Sequence, residues 1–301
     1  MALREFCEFC KENKIKYFEN EPMCQHTSFK IGGNADIFVK TANEQQLLAV
    51  LDRLKLLNIP YFTIGKGSNL LVSDKGIEGA VISLSDMDEI SVDGDCITAG
   101  AGASLAAVCV EAMKNSLSGM EALYGIPASV GGALYMNAGA YGGEMSQVVE
   151  SANCIDEDKN ICSLSVADMQ LGYRTSIFKK QKSIITSVTF KLKKANQSDI
   201  RLAMDDFMSR RKEKQPLEYP SAGSTFKRPE GYFAGALIEK NGLKGKTVGG
   251  AMVSEKHAGF LINYSNATSD DVKNLMKIVS DTVALADGVR LEPEVIFVGK
   301  E

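Results

Sequence analysis

The chain has 301 residues, 45% apolar and 24% charged, a balance typical of soluble globular proteins and a length that suggests about two domains. A formal net charge of −4 and the absence of Trp argue against a nucleic-acid groove, which needs a basic footprint and stacking aromatics. No apolar run approaches the ~18–20 residues of a membrane span, and Met1–Phe6 lacks the apolar core and small-residue cleavage site of a secretory signal. A cytoplasmic protein without membrane insertion is therefore expected.

Seven cysteines, at 7, 10, 24, 96, 109, 154 and 162, are odd in number and scattered, which suits reduced thiols. Cys7 and Cys10 form a C-x-x-C pair with no second pair at zinc spacing, so no metal is expected. Leu3, Phe6, Cys7 and Cys10 instead fall at i, i+3, i+4 and i+7, a stripe predicted to be buried on a helix over 2–14.

Phe29 to Lys40 reads as two short strands around the Gly32-Gly33-Asn34 turn. Leu47, Leu48, Leu51, Leu54 and Leu57 predict a helix over 43–57, ended by Asn58-Ile59-Pro60. Tyr61–Ile64 is a buried strand that leads into a glycine loop. Short strands then dominate: 80–84, 96–99, 148–155, 161–164 and 184–192, interrupted by a helix over 104–114 with Ser104 at its N-cap. A charged helix over 198–213 turns Ile200, Ala203, Met204, Phe207 and Met208 inward, and Pro216 and Pro220 mark a boundary after it. A helix near 232–241, a long helix from Ser269 to about Asp287 and a strand over 295–298 complete an α+β chain.

Two glycine-dense stretches stand out: Gly65-Lys66-Gly67-Ser68-Asn69-Leu70 and Gly125-Ile126-Pro127-Ala128-Ser129-Val130-Gly131-Gly132. Without Cβ atoms, several backbone N–H groups can converge on a phosphate. The pair suggests one extended anionic ligand, such as a dinucleotide cofactor, gripped from two sides. Asn137–Gly143 adds a third small-residue stretch. Neither Gly65-x-Gly67-x-x-Leu70 nor Gly100-x-Gly102-x-x-Leu105 is a Rossmann fingerprint, because the third glycine is missing. Gly245-Lys246-Thr247 is not a P-loop, because residue 240 is Lys. His26 and His257, the only histidines, lie outside any nucleophile elbow.

Six motifs in register over about 25–298 carry a resemblance: Thr27–Gly33, Gly65–Leu70, Gly125–Gly132, Tyr173-Arg174-x-Ser176-Ile177-Phe178, Ala222–Lys227 and Leu291–Val295. Together they resemble the UDP-N-acetylenolpyruvoylglucosamine reductase family of flavoproteins, in its shorter subtype without an extra tyrosine-bearing loop. The resemblance implies an FAD-binding fold of the vanillyl-alcohol-oxidase type over 1–195, with subdomains of about 1–70 and 71–195. A substrate-binding α+β domain over 196–301 would follow. It also implies two half-reactions: NADPH reduces FAD, and hydride then reaches the enolpyruvyl double bond of the UDP-sugar to give UDP-N-acetylmuramate. The first loop contains no His or Cys, so FAD is expected to be non-covalent. A monomer is expected, with the UDP-sugar and NADPH as its partners.

By this resemblance Gly65, Lys66, Gly67, Ser68, Asn69 and Leu70 hold the cofactor, with Gly125, Pro127, Ser129, Gly131, Gly132, Asn137 and Gly139. Arg174 offers a planar fork of donors to a carboxylate or enolate. Glu294, kept protonated by desolvation and like charge, would donate to the second enolate oxygen, with Glu292 as its rival. Ser224, with Ser221 as its neighbour, would protonate carbon. Lys227, Arg228, Lys244 and His257 are candidates for the UDP phosphates. Two other readings remain: a UDP-sugar or nucleotide-binding module without flavin chemistry, and an oxygen-using FAD oxidase of the same fold.

Overall fold

Phe6, Cys7 and Cys10 face inward along helix α1 (Ala2–Glu12), whereas Leu3 stays 37% exposed at the first turn. The structure, a computed structural model, describes all 301 residues. Only the second of the two strands expected over 29–40 forms, as Asn34–Lys40; a strand at Lys16–Pro22 appears instead. Residues 29–33 leave extended geometry because Lys30 takes φ 57 and Gly32 φ 134. Gly33 also presses on the chain so closely that a Cβ there would lie 2.1 Å from the Asp74 carbonyl oxygen. Phe29 and Ile31 are buried all the same.

Helix α2 (Glu44–Leu56) starts at Asn43, whose side chain accepts from Gln46 N–H. It buries Leu47, Val50, Leu51 and Leu54, leaving Leu48 and Leu57 at the edges of the stripe. Strand Tyr61–Ile64 follows, in a four-stranded sheet ordered Lys16–Pro22, Asn34–Lys40, Ile77–Ser83, Tyr61–Ile64. A five-stranded antiparallel sheet runs in the order Ile161–Ser165, Val149–Ile155, Ile184–Lys191, Cys96–Gly100, Ile90–Asp93. Helices α3 (Leu105–Lys114) and α4 (Val130–Tyr135) pack on it. The buried faces of these elements carry Ile97, Val108, Leu134 and Phe190, each stabilising the fold by roughly 1.5–3 kcal/mol through burial.

Helix α5 (Gln197–Lys214) buries only Ile200 and Met204; Ala203, Phe207 and Met208 are half-buried, a narrower stripe than their spacing suggested. Helix α6 (Ala234–Lys240) and helix α7 (Ser269–Asp287) follow. Thr268 and Asp271 form a capping box at the start of α7, and Gly288, at φ 69, closes it in the left-handed conformation. Val272, Leu275, Val279 and Val283 of α7 share a core with Ile238, Val253 and Leu261.

By packing, the chain divides into two units: 1–17, 38–66 and 81–211; and 18–37, 67–80 and 212–301. Within the second unit, strand Leu70–Val72 pairs in parallel with Ile296–Val298, and the Asp74 carboxylate accepts from Ser269 N–H and Oγ–H. All seven cysteines are free thiols. No helix is long and apolar enough to cross a membrane.

Candidate active site

In the first unit the two glycine-dense stretches meet. A Cβ on Gly65 would lie 2.1 Å from Ser129 Oγ, so only glycine fits there. Ser129 caps α4, accepting from Gly132 N–H at 3.3 Å, and bridges to Ser104. Ser104 occupies the N-cap position of α3 but does not cap it; its Oγ accepts from Lys66 Nζ at 2.8 Å. Burial lowers the pKa of this Lys66 ammonium.

The second stretch is only partly a loop, since Val130–Gly132 are the first residues of α4. Their N–H groups are already engaged: Val130 donates to Ala103 O, Gly131 to Ala101 O and Gly132 to Ser129 Oγ. Gly131 is glycine because a Cβ would sit 2.8 Å from Ala101 Cβ. The N–H groups of Gly65, Lys66, Gly125 and Ser129, by contrast, are donated to nothing in the chain. Ser129 is only 2% exposed, and a buried backbone donor without a partner is rare unless a ligand supplies one. Pro127 lies exposed between the two helix-bound segments. These donors, with a lysine beside them, fit a phosphate-bearing cofactor such as the FAD that the resemblance implies.

Arg174 sits in a tight turn in the same unit. Gly172 and Thr175 exchange both backbone hydrogen bonds, at 3.1 and 3.2 Å, which forces Arg174 to φ 53. That conformation costs a non-glycine residue about 1–2 kcal/mol, and such strain is concentrated at functional positions. Asn137, fully buried, holds the turn: its Nδ2 donates to Gly172 O at 3.0 Å while its Oδ1 accepts from Ser146 N–H at 2.9 Å. Arg174 Nη2 donates to Gly139 O at 3.4 Å, and its guanidinium lies over the Tyr173 ring at 5.2 Å. Lys179, which the sequence reading overlooked, donates from Nζ to Arg174 O at 2.9 Å.

In the second unit, residues 224–227 run antiparallel to 292–294. Lys227 N–H donates to Glu292 O and Glu294 N–H to Thr225 O, both at 2.8 Å, around a Phe226–Pro293 bridge. Thr225, also overlooked, is buried, donates its N–H to Gly259 O and accepts from Leu261 N–H at its hydroxyl. Ser224 is thus exposed beside a fixed strand, after Gly223 at φ 77. Asn69 clamps the other side of Glu294, donating from Nδ2 to Glu294 O and accepting from Ile296 N–H at its own carbonyl. Leu70 continues as the strand paired with Ile296. Gly67, at φ 60, presses on the His26 carbonyl, which a Cβ would approach to 2.2 Å. The N–H groups of Gly67 and Ser68 are donated to nothing in the chain.

The basic residues of this unit already have neighbours. Lys227 Nζ lies 3.0 Å from Glu292 Oε2 and Lys244 Nζ 2.6 Å from Glu239 Oε1. The Arg228 guanidinium stacks 4.0 Å over the Phe233 ring. His257 Nδ1 accepts from Gly259 N–H at 3.1 Å, and burial, with Lys244 nearby, lowers the imidazole pKa.

Comparison with known proteins covers almost the whole chain. A model described as the C-terminal domain of UDP-N-acetylenolpyruvoylglucosamine reductase matches residues 215–298, and one described as an FAD binding domain matches 35–165. A UDP-N-acetylenolpyruvoylglucosamine reductase from Clostridium perfringens is 47% identical over 294 residues, 98% of this chain and 96% of the relative. One from Clostridium botulinum is 50% identical over 282 residues, covering 94% and 92%. The crystal structure of the corresponding reductase from Thermus caldophilus superposes with a TM-score of 0.81 at 33% identity, covering 94% of this chain and 98% of that one.

Proposed function

Since the chain belongs to the UDP-N-acetylenolpyruvoylglucosamine reductase family, we propose that it reduces the enolpyruvyl group of UDP-N-acetylenolpyruvoylglucosamine to the lactyl ether of UDP-N-acetylmuramate, with NADPH as reductant, in peptidoglycan precursor synthesis. The observation that carries the site is the pairing of 224–227 with 292–294, which anchors Ser224 and Glu294 to one rigid strand pair. Bound FAD, taken up non-covalently, supplies a two-electron carrier between NADPH and the substrate double bond. The undonated N–H groups of Gly65, Lys66, Gly67, Ser68, Gly125 and Ser129 are its phosphate donors.

Hydride addition to the methylene carbon leaves an electron pair on the neighbouring carbon, delocalised into the substrate carboxylate. Arg174, fixed in its turn by Asn137 and Lys179, presents its fork to that developing charge. Glu294, protonated, donates to the second oxygen. Ser224 passes its hydroxyl proton to carbon, which completes the CH–CH₃ product, and regains a proton from solvent. Lys227, Arg228, Lys244 and His257 form the basic set for the UDP phosphates. Other parts of this reading are the division at 195/196, supported by family matches over 35–165 and 215–298; the subtype without the tyrosine loop; a monomer; and a cytoplasmic role in cell shape and division.

Ser224→Ala separates the steps. Anaerobic NADPH should still bleach the flavin of the variant, while reoxidation by the enolpyruvyl substrate should slow by about 10²–10⁴-fold, the range for a positioned proton donor. Unchanged reoxidation would remove Ser224 from the mechanism. A colourless protein unable to take up FAD would end the whole reading.

A further inference from the structure

Of the seven cysteines, Cys154 and Cys162 are the two that a strand ladder sets directly opposite each other. They stand on Val149–Ile155 and Ile161–Ser165, the antiparallel pair at one edge of the five-stranded sheet. The turn between the strands fixes this register: Asp156 N–H donates to Asn160 O at 3.0 Å, and Asn160 N–H donates to Asp156 Oδ1 at 2.8 Å. Lys159 in the turn pairs with Asp52 on α2, and Glu157 accepts from Lys182 N–H at 3.2 Å, so the hairpin is tied down on both sides. The two thiols share the inner face. Cys154 is buried and Cys162 half-buried, whereas Asn153 and Ser163, the next opposed pair, are exposed.

Directly opposite residues of an antiparallel pair have Cα atoms about 4.5 or 5.5 Å apart. Both values lie inside the roughly 4.4–6.8 Å that a disulfide spans. The Cys162 thiol donates only weakly, to Asp156 Oδ2 at 3.6 Å and Asn160 O at 3.7 Å, contacts that a new bond can replace. We propose that Cys154 and Cys162 are a redox modification site, a dithiol that hydrogen peroxide converts into a cross-strand disulfide closing the 155–161 turn. Cys162, the thiol nearer solvent, loses its proton and attacks the peroxide; the O–O bond breaks, hydroxide leaves with that proton as water, and the sulfur becomes a sulfenic acid. Cys154 then attacks the same sulfur, the S–S bond forms, and the sulfenic oxygen departs with the Cys154 proton as water. Two thiols are oxidised and one peroxide is reduced to two waters. Cys7 and Cys10, the pair that sequence spacing singles out, are both buried on α1 and offer no thiol to start the reaction. Burial, with Cys162 beside it, pushes the Cys154 thiol up to about 11, and burial and the Asp156 carboxylate raise Cys162. Such thiols react slowly, because the thiolate is the nucleophile. Their disulfide resists reduction, because a basic thiolate is a poor leaving group. The pair is therefore a durable staple on the sheet edge rather than a rapid sensor. The inference stands apart from the proposed function, since neither cysteine belongs to the site assigned there.

The test is carried out on the full chain, treated with hydrogen peroxide, quenched with catalase, alkylated in denaturant and digested with trypsin. Trypsin cuts after Lys159, between the two cysteines, so Cys154 leaves in peptide 115–159 and Cys162 in peptide 160–174, each with no other cysteine. Mass spectrometry should find these two peptides joined as the main disulfide, lighter by two hydrogens than their sum and separated again by dithiothreitol. Both peptides recovered with alkylated thiols, or Cys162 joined to a different cysteine, would overturn the proposal. In Cys162→Ser, a change at the half-buried position, Cys154 should keep its alkylatable thiol. Its oxidation there at the wild-type rate would refute the order of the two steps. Wild type alone decides the pairing should that variant fail to fold. Amide hydrogen exchange supplies a second readout. Joining the strands should slow exchange over Ile161–Ser165 by about 10–100-fold, because the cross-link restrains opening of the edge strand. Unchanged exchange in the joined protein would show that the bond is no staple.

Discussion

Gly65→Ala is the most direct probe of the meeting of the two glycine-dense stretches. The new Cβ would fall 2.1 Å from Ser129 Oγ and 3.3 Å from Ser129 Cβ, while the next atom, Gly132 N, is 4.0 Å away. Ser129 must therefore rotate, and Gly132 N–H loses its 3.3 Å acceptor. Loss of the cap costs about 0.5–2 kcal/mol, and crowding a packed site adds about 1–3 kcal/mol. A destabilisation of roughly 2–4 kcal/mol is expected. Ser129→Gly removes the clashing hydroxyl at a cost of only a few tenths of a kcal/mol, because glycine is an acceptable N-cap. In that background Gly65→Ala should cost less than about 1 kcal/mol, giving a coupling near 2 kcal/mol in the double-mutant cycle. Urea unfolding followed by far-UV circular dichroism measures all four proteins. FAD is held at one fixed concentration, since a bound ligand adds its own stabilisation. If the two substitutions add within about 0.5 kcal/mol, the residues do not touch and the cradle built on their contact is wrong.

Asn137→Ala leaves the half-buried Ser146 N–H without its acceptor and takes one of two donors from the Gly172 carbonyl, which keeps Thr175 N–H; the first costs about 1–3 kcal/mol and the second about 0.5–1.5 kcal/mol. Urea unfolding should register a loss of roughly 1.5–4.5 kcal/mol, and a loss below about 1 kcal/mol would show that the Arg174 turn is held by other contacts. His257 has its folded pKa lowered by burial, so folding favours the neutral ring. Its contribution is whole above the unfolded pKa of about 6.5 and is lost progressively as pH falls below that value toward the folded pKa. His257→Asn keeps an acceptor for Gly259 N–H without a titrating ring, so the stability gap between wild type and variant should shift against wild type between pH 7.5 and 5.5. A gap independent of pH would contradict the assignment.

Periodicity located most helices and central strands because tertiary packing uses the same faces that spacing reveals. Val272, Leu275, Met276, Val279 and Val283 define α7 in either view, and its capping box is written in Thr268 and Asp271. The failures have local causes. Leu70–Val72 is three residues long and becomes a strand only by pairing with Ile296–Val298, more than two hundred residues away, a partner that local pattern cannot name. Residues 29–33 look extended by composition, but the constraint on them is the backbone of Asp74 and Gly76 pressing against Gly33.

Glycine density pointed to the right region and blurred which atoms matter there. Gly131 and Gly132 spend their N–H groups on Ala101 O and Ser129 Oγ. In these two residues, glycine satisfies packing within the chain. At Gly125 the neighbour is instead the side chain of an unpaired arginine, and at Gly65 it is a serine whose own buried N–H has no acceptor. A sequence cannot separate the two kinds, because both reduce to the same missing Cβ. The hydrogen-bond inventory does separate them: where glycine permits close packing the donors are consumed, and where it makes room for a ligand they are left over.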